Sequence, residues 1–147
     1  MIQIIPLTKG YNAEASNLIK SGLSEYFETY ASHYNPDLID PYQHYNDKNS
    51  VFLIGLIDNS IIATGALIKE EETIGRIVRM SVSKEYRNQG YASKILRKLE
   101  EIALDKGYRK ILLETTRTWN NAIRFYKSNQ YKTKYIDHAD VHFEKKL

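Results

Sequence analysis

The chain has 147 residues, no cysteine, 42% hydrophobic and 27% charged residues, and a formal net charge of +3. That length suits one domain, residues 1–147, with a single core, and no apolar run is long enough to cross a bilayer. The lack of cysteine excludes disulfides, thiolate metal sites and an acyl-cysteine intermediate, and the dispersed lysines and arginines disfavour a nucleic-acid reader, which needs a concentrated basic stripe.

Ile2, Ile4 and Ile5 predict a short opening strand ended by Pro6. Asn12 is placed to cap a helix in which Ala15, Leu18, Ile19, Leu23, Tyr26, Phe27 and Tyr30 recur at three- and four-residue steps, with a break near Ser21 and Gly22. Residues 33–49 hold Pro36 and Pro41 without clear periodicity and read as a loop long enough to form a substrate wall. Several of the twelve tyrosines, among them Tyr26, Tyr30, Tyr34, Tyr42 and Tyr45, fall in this first third, where half-buried packing is the plain reading and a wall for an organic substrate the functional one.

Val51–Ile57 and residues 61–68 are β-rich runs separated by Asp58, Asn59 and Ser60, a hairpin signal. Ile74–Val82 gives the next strand, antiparallel to its predecessor. A polar turn with Arg87, Asn88, Gln89 and Gly90 then feeds a helix that starts near Tyr91, gathers Ala92, Ile95, Leu96, Leu99, Ile102 and Ala103 on one face, and stops at Gly107. Residues 110–115 read as a buried strand, 118–127 as a helix capped by Thr118, and 131–136 and 141–144 as closing strands.

The turn before Tyr91 is the most informative feature. A helix start leaves backbone N–H groups without intrahelical partners and carries the positive end of the helix dipole, so it suits a pyrophosphate, and Gly90 permits close backbone approach. The spacing is neither that of a nucleotide-hydrolase loop nor that of the three-glycine dinucleotide fingerprint. Arg87-Asn88-Gln89-Gly90-Tyr91-Ala92 instead resembles the Gln/Arg-x-x-Gly-x-Gly/Ala pattern of the GNAT superfamily of N-acetyltransferases. Asn120-Asn121-Ala122-Ile123-Arg124-Phe125-Tyr126 resembles the Asn-x-x-Ala-x-x-x-Tyr type of segment in the same superfamily. The resemblance runs from about Val51 to the C-terminus.

The resemblance implies an α+β fold: a mixed, mostly antiparallel sheet of about seven strands flanked by about four helices. It implies acetyl-CoA as cosubstrate, with the pyrophosphate at Arg87, Asn88, Gln89, Gly90, Tyr91, Ala92 and Ser93. The pantetheine arm would lie along the backbone of Met80, Ser81 and Val82, with Asn120 and Asn121 near its amides. Tyr126 becomes the candidate acid for the departing thiolate, since a phenol is protonated at neutral pH. For the base, Glu114 comes first because its strand should diverge from Ile74–Val82. His33, His44 and water stay open as alternatives, and Glu70, Glu71 and Glu72 read as a solvated turn.

No metal is expected. His138 and His142 stand four apart, a spacing that converges on one ion on a helix but not in a strand. Two positions depart from the family pattern: Arg76 stands where many members carry a glutamate, and Gln130-Tyr131 replaces a Gly-Phe, with Asn129 expected to supply the left-handed stop. The resulting expectation is a cytoplasmic enzyme that acetylates a primary amine of a small molecule or of a peptide by direct transfer, without membrane or nucleic-acid partners and with a homodimer left open. A non-catalytic acyl-CoA-binding sensor is the alternative.

Overall fold

The computed structural model describes residues 1–25 and 35–147. The expectations for Tyr26, Phe27, Tyr30, His33 and Tyr34 lie outside the described residues. In chain order the elements are β1 (Gln3–Pro6), α1 (Asn12–Ser24), α2 (Pro41–His44), β2 (Val51–Ile57), β3 (Ser60–Glu71), β4 (Ile74–Val82), α3 (Tyr91–Asp105), β5 (Lys110–Thr116), α4 (Asn120–Ser128), β6 (Lys132–Ile136) and β7 (Asp140–Lys146).

The strands form one seven-stranded sheet in the order β1-β2-β3-β4-β5-β7-β6. Every neighbouring pair is antiparallel except β4 and β5, which are parallel. Parallel neighbours need a crossover, and α3 supplies it. Both sheet faces are covered around β2 and β3, which explains their near-continuous apolar runs. On one face Ile95, Leu96, Leu99 and Ala103 of α3 are fully buried against Leu53, Leu67, Ile111 and Phe143. On the other, Ala15 and Ile19 of α1 pack with Leu38, Tyr45, Phe52 and Ile54. Among the described residues no helix is long and apolar enough to cross a membrane.

Several local readings change in the folded chain. Asn12 lies inside the first turn of α1 and does not cap it; its side chain donates to Asp40 Oδ1 at 2.8 Å and accepts from the Tyr42 N–H at 2.9 Å, tying α1 to α2. Gly22 does not break α1. The missing Cβ instead lets the helix lie against β4, since a Cβ there would stand 3.3 Å from Ser81 Oγ. The expected loop contains a 3₁₀ turn at Pro36–Leu38 and the short α2, both opened by a proline at a first-turn position, with Asp40 capping α2 through the Gln43 N–H. Thr118 does not cap α4, which starts at Asn120 after Trp119. Gln130, not Asn129, takes the left-handed position after α4, with φ 68°. The Asp58-Asn59 hairpin turn and the Gly107 stop are as read from sequence: both turn residues and Gly107 have positive φ.

A bulge shapes β4. Thr64 pairs with Ser81 and Ala66 with Val78, so Arg79 and Met80 together face Gly65. Gly65 leaves no spare room: an added Cβ would lie 2.6 Å from Met80 Sδ, 2.7 Å from Ile95 Cγ2 and 2.9 Å from Leu99 Cδ1. Gly65→Ala should therefore overpack the centre of the molecule and lower the unfolding free energy in urea by about 1–3 kcal/mol; an unchanged midpoint would mean that the bulge is looser than this packing requires.

Candidate active site

The parallel ladder between β4 and β5 holds only the pairs Ile74–Lys110, Gly75–Ile111 and Arg76–Leu112. Beyond them the strands part, and a cleft of about 630 Å³ opens between Met80, Ser81 and Val82 on one side and Glu114, Thr115, Thr116 and Tyr126 on the other. Backbone groups that face a departed neighbour need another partner, so the exposed edge of β4 is a ready ladder for an extended polar ligand.

At the mouth of the cleft the chain makes a 3₁₀ turn at Lys84–Tyr86, passes Asn88 at φ 62°, and enters α3 through Gly90 at φ 86°. The left-handed backbone explains the glycine, and a Cβ built there meets nothing within 4 Å, so the space before the helix is open. No side chain caps α3. The N–H groups of Tyr91, Ala92 and Ser93 thus stay free for an anion, in the field of a four-turn helix. These residues fit a pyrophosphate. Arg87 lines the cleft but is otherwise engaged: Nε donates to the Val82 carbonyl at 2.9 Å, and its two terminal nitrogens donate to Glu25 at 2.8 and 3.0 Å. Gln89 donates back to the Glu85 carbonyl. Asn120 and Asn121 open α4 beside Trp119 and Ala122, which line the cleft, and the Asn121 side chain is held by Arg124.

Tyr126 is 8% exposed and packs against Phe125, Tyr131 and Phe143, with ring centroids 5.1, 5.9 and 5.9 Å away. Its hydroxyl makes no hydrogen bond to any described residue, and Tyr126 is one of the residues that line the cleft. Burial, reinforced by the charge of Glu114, pushes the phenol well above its ordinary pKa, so the proton stays on at neutral pH. A buried hydroxyl without a protein partner is unusual.

Glu114 lies on the cleft wall, 35% exposed, and accepts an ion pair from Arg76, whose Nε also donates to Glu70 at 2.8 Å. Arg76 thus neutralises two carboxylates, and Glu70 is more than part of a solvated turn: the hydrogen bond from Arg76 holds its carboxyl below the ordinary range.

The opposite wall contains a network that sequence reasoning missed. Arg79, at φ 58° in the bulge, donates from Nε to Asp37 Oδ2 at 2.8 Å, and from Nη2 to Asp37 Oδ1 at 2.7 Å and Asn35 Oδ1 at 2.9 Å. The Tyr45 hydroxyl donates to Asp37 Oδ2 at 2.5 Å, and Thr64 Oγ1 donates to the Arg79 carbonyl at 2.8 Å. Burial opposes the charge on Asp37, but the hydrogen bonds from Arg79 and Tyr45 together outweigh it and leave the pKa below the ordinary value. The partners stand 42 residues apart, and no local pattern announces them.

A second missed group sits at the β6–β7 hairpin. His138 lies in the turn between β6 and β7 and is not part of the group formed by Asp137, Asp140 and His142. His142 Nε2 is 2.9 Å from Asp137 Oδ2, while Asp137 Oδ1 accepts the N–H groups of Ala139 and Asp140 at 2.9 and 2.7 Å. Those two backbone bonds, with His142, pull the Asp137 carboxyl far below its usual range. Asp137, Asp140 and His142 bring one potential ligand atom each within 4.8 Å of one another, yet both Asp137 oxygens are committed. Asp137 and His142 form an ordered Asp–His pair. Asp137 followed by a turn and an alternating strand was the available signal for it.

A family model described as Acetyltransferase (GNAT) family matches residues 17–130. N-alpha-acetyltransferase 30 of Schizosaccharomyces pombe is 26% identical over 126 residues, covering 86% of this chain and 81% of that protein. N-acetylaspartate synthetase of Xenopus tropicalis is 31% identical over 98 residues, covering 65% of this chain but only 36% of that protein. Among solved structures, a GNAT-family acetyltransferase of Staphylococcus aureus superposes with a TM-score of 0.89 at 22% identity, covering 100% of this chain and 99% of that one. The PaiA N-acetyltransferase of Thermoplasma acidophilum, in complex with coenzyme A, superposes with a TM-score of 0.83 at 20% identity over 100% and 99% of the two chains.

The Asp37 network yields a signed pH prediction. Its folded pKa lies below the unfolded value of 3.8, so its stabilisation is complete above that value and is lost as pH falls through the folded one. Asp37→Asn should cost about 1.5–3 kcal/mol near neutral pH, and the gap to wild type should narrow as denaturation is repeated below pH 4. A gap that does not depend on pH would contradict an ionised Asp37.

Proposed function

The chain belongs to the acetyltransferase (GNAT) family, whose members take acetyl from acetyl-CoA, and on that premise we propose that it transfers the acetyl group directly to a primary amine of a small molecule or of a peptide while both substrates are bound. The observation that carries this reading is that one continuous cleft joins Arg87 beside the helix start, the free edge of β4, Tyr126 and Glu114 with the α1 and α2 walls. A single cleft with a donor end and an acceptor end favours a ternary complex, and no cysteine exists to carry the acetyl between two half-reactions.

The proposed roles follow position. Gly90 and the N–H groups of Tyr91, Ala92 and Ser93 hold the pyrophosphate, with Asn88 and Gln89 shaping the turn. The edge of Met80, Ser81 and Val82 orders the pantetheine arm and presents backbone donors to the thioester oxygen, where charge develops. Tyr126 gives its proton to the departing thiolate. Glu114, paired with Arg76, receives the acceptor ammonium. Asp37, Arg79, His44 and Tyr45 form the far wall. A cytoplasmic setting completes the proposal.

Two variants test the donor end and the acid separately. Gly90→Val puts a branched side chain at a left-handed position and into the open space before α3, so calorimetry should show coenzyme A affinity reduced on the order of tenfold or more in a folded protein. Retained affinity would remove the cradle from the account. Tyr126→Phe keeps the ring and its packing, so coenzyme A affinity and Tm should hold while single-turnover acetyl transfer slows by about tenfold or more. Full-rate transfer in that variant would make Tyr126 a packing residue. Coenzyme A binding without thiol release across a broad amine panel would favour a sensor.

A further inference from the structure

An acceptor ammonium held at Glu114 still needs a group that takes its proton. An alkylammonium ordinarily loses its proton near pH 10.4, whereas carboxylates titrate near 4 and imidazoles near 6.5. A base works best when its own titration lies near the working pH. Glu114 is in addition already engaged by Arg76.

The sheet register places an imidazole beside it. Glu114 pairs with His142 and Thr116 with Asp140. Residues two apart on a strand share a face, so these four side chains form one square, and directly opposed Cβ atoms stand about 4.5–5.5 Å apart. Glu114, Thr116 and Asp140 all line the cleft. His142 completes the square and is 20% exposed. The Asp137 carboxylate, fixed by two backbone N–H groups, accepts from Nε2 and so sets the tautomer. Nδ1 is left with a lone pair and no hydrogen bond to a described residue. The Tyr135 ring, stacked at 4.1 Å and 13°, holds the imidazole plane from β6.

Resting on the amine-acetylation reading, we propose that His142, oriented by Asp137, is the base that takes the proton from the acceptor ammonium while Glu114 anchors it. The charged groups around the imidazole are Glu114 from β5, with Arg76 of β4 behind it, Asp137 from the turn, whose carbonyl accepts from Arg117 just beyond β5, and Asp140 from its own strand. In the reaction the ammonium gives one proton to His142 Nδ1, the amine nitrogen forms the C–N bond, and the C–S bond breaks. The thiolate takes the Tyr126 proton, and the second nitrogen proton returns to the Tyr126 oxygen through cleft water. His142 then sheds its proton to solvent, so ammonium and thioester give amide, thiol and one proton.

The test compares wild type, His142→Gln, His142→Ala and Asp137→Asn with acetyl-CoA and a productive amine. Wild-type kcat/KM for the amine should rise with pH through the imidazole range. His142→Gln should lose that inflection and fall on the order of 100-fold, with coenzyme A affinity by calorimetry unchanged. Added imidazole should raise the rate of His142→Ala but not of wild type, and Asp137→Asn should keep an inflection at a lower plateau. A wild-type pH profile and rate in His142→Gln would overturn the proposal, as would loss of rate with lowered Tm and no imidazole rescue in His142→Ala. A wild type that binds coenzyme A but acetylates no amine would bring down both readings, whereas an active wild type with unaltered His142→Gln brings down the base alone.

Discussion

The divergence of β4 from β5 after three residue pairs is the constraint on which the chemistry depends. A parallel ladder that ran on would bury the edge of Met80, Ser81 and Val82 and leave no cleft. Two features of β4 accompany the parting. The bulge opposite Gly65 turns the strand, and the Arg79–Asp37 pair fastens the turned segment to the 3₁₀ turn that precedes α2. A buried ion pair is a poor source of net stability compared with apolar packing. Its part here is geometric, since it holds a strained left-handed residue and the far wall in one arrangement.

Environment sorts the titratable groups into roles. Tyr126 is kept protonated by burial, Asp137 is kept ionised by backbone N–H groups, and Glu114 is matched by Arg76. None of these states depends on the residue type alone. At Arg76, where the family resemblance leads to an expected carboxylate on β4, the chain has a cation, and carboxylates approach it from β3 and β5. The charge pattern of the site is thereby redistributed across three strands.

What could be read in the sequence was local. The Asp58-Asn59 turn, the periodic face of α3, the glycine before it and the glycine after it are each encoded within a few residues, and each stands where the sequence places it. The order of elements apart from α2 followed from these signals, and the family resemblance then supplied the sheet. Contacts between distant segments had no such signature. Asn12 offered a plausible cap in sequence, but Asp40 and the Tyr42 N–H compete for its side chain once α2 docks. Glu114 finds Arg76 across 38 residues, and Asp37 finds Arg79 across 42. The Asp137–His142 pair was closer to reach, because a tight hairpin brings positions five apart together, yet a search for paired histidines directs attention to His138 instead.

The account stands or falls on whether the diverging edge of β4 and the uncapped start of α3 form one donor site. Amide hydrogen exchange of the wild-type protein with and without coenzyme A tests this directly, since it reports the backbone groups themselves. The account predicts slower exchange on binding at Met80, Ser81 and Val82 together with Gly90, Tyr91, Ala92 and Ser93, with little change on β1 at the far edge of the sheet. Binding that protects neither segment, or protects amides elsewhere while both stay unchanged, would contradict it.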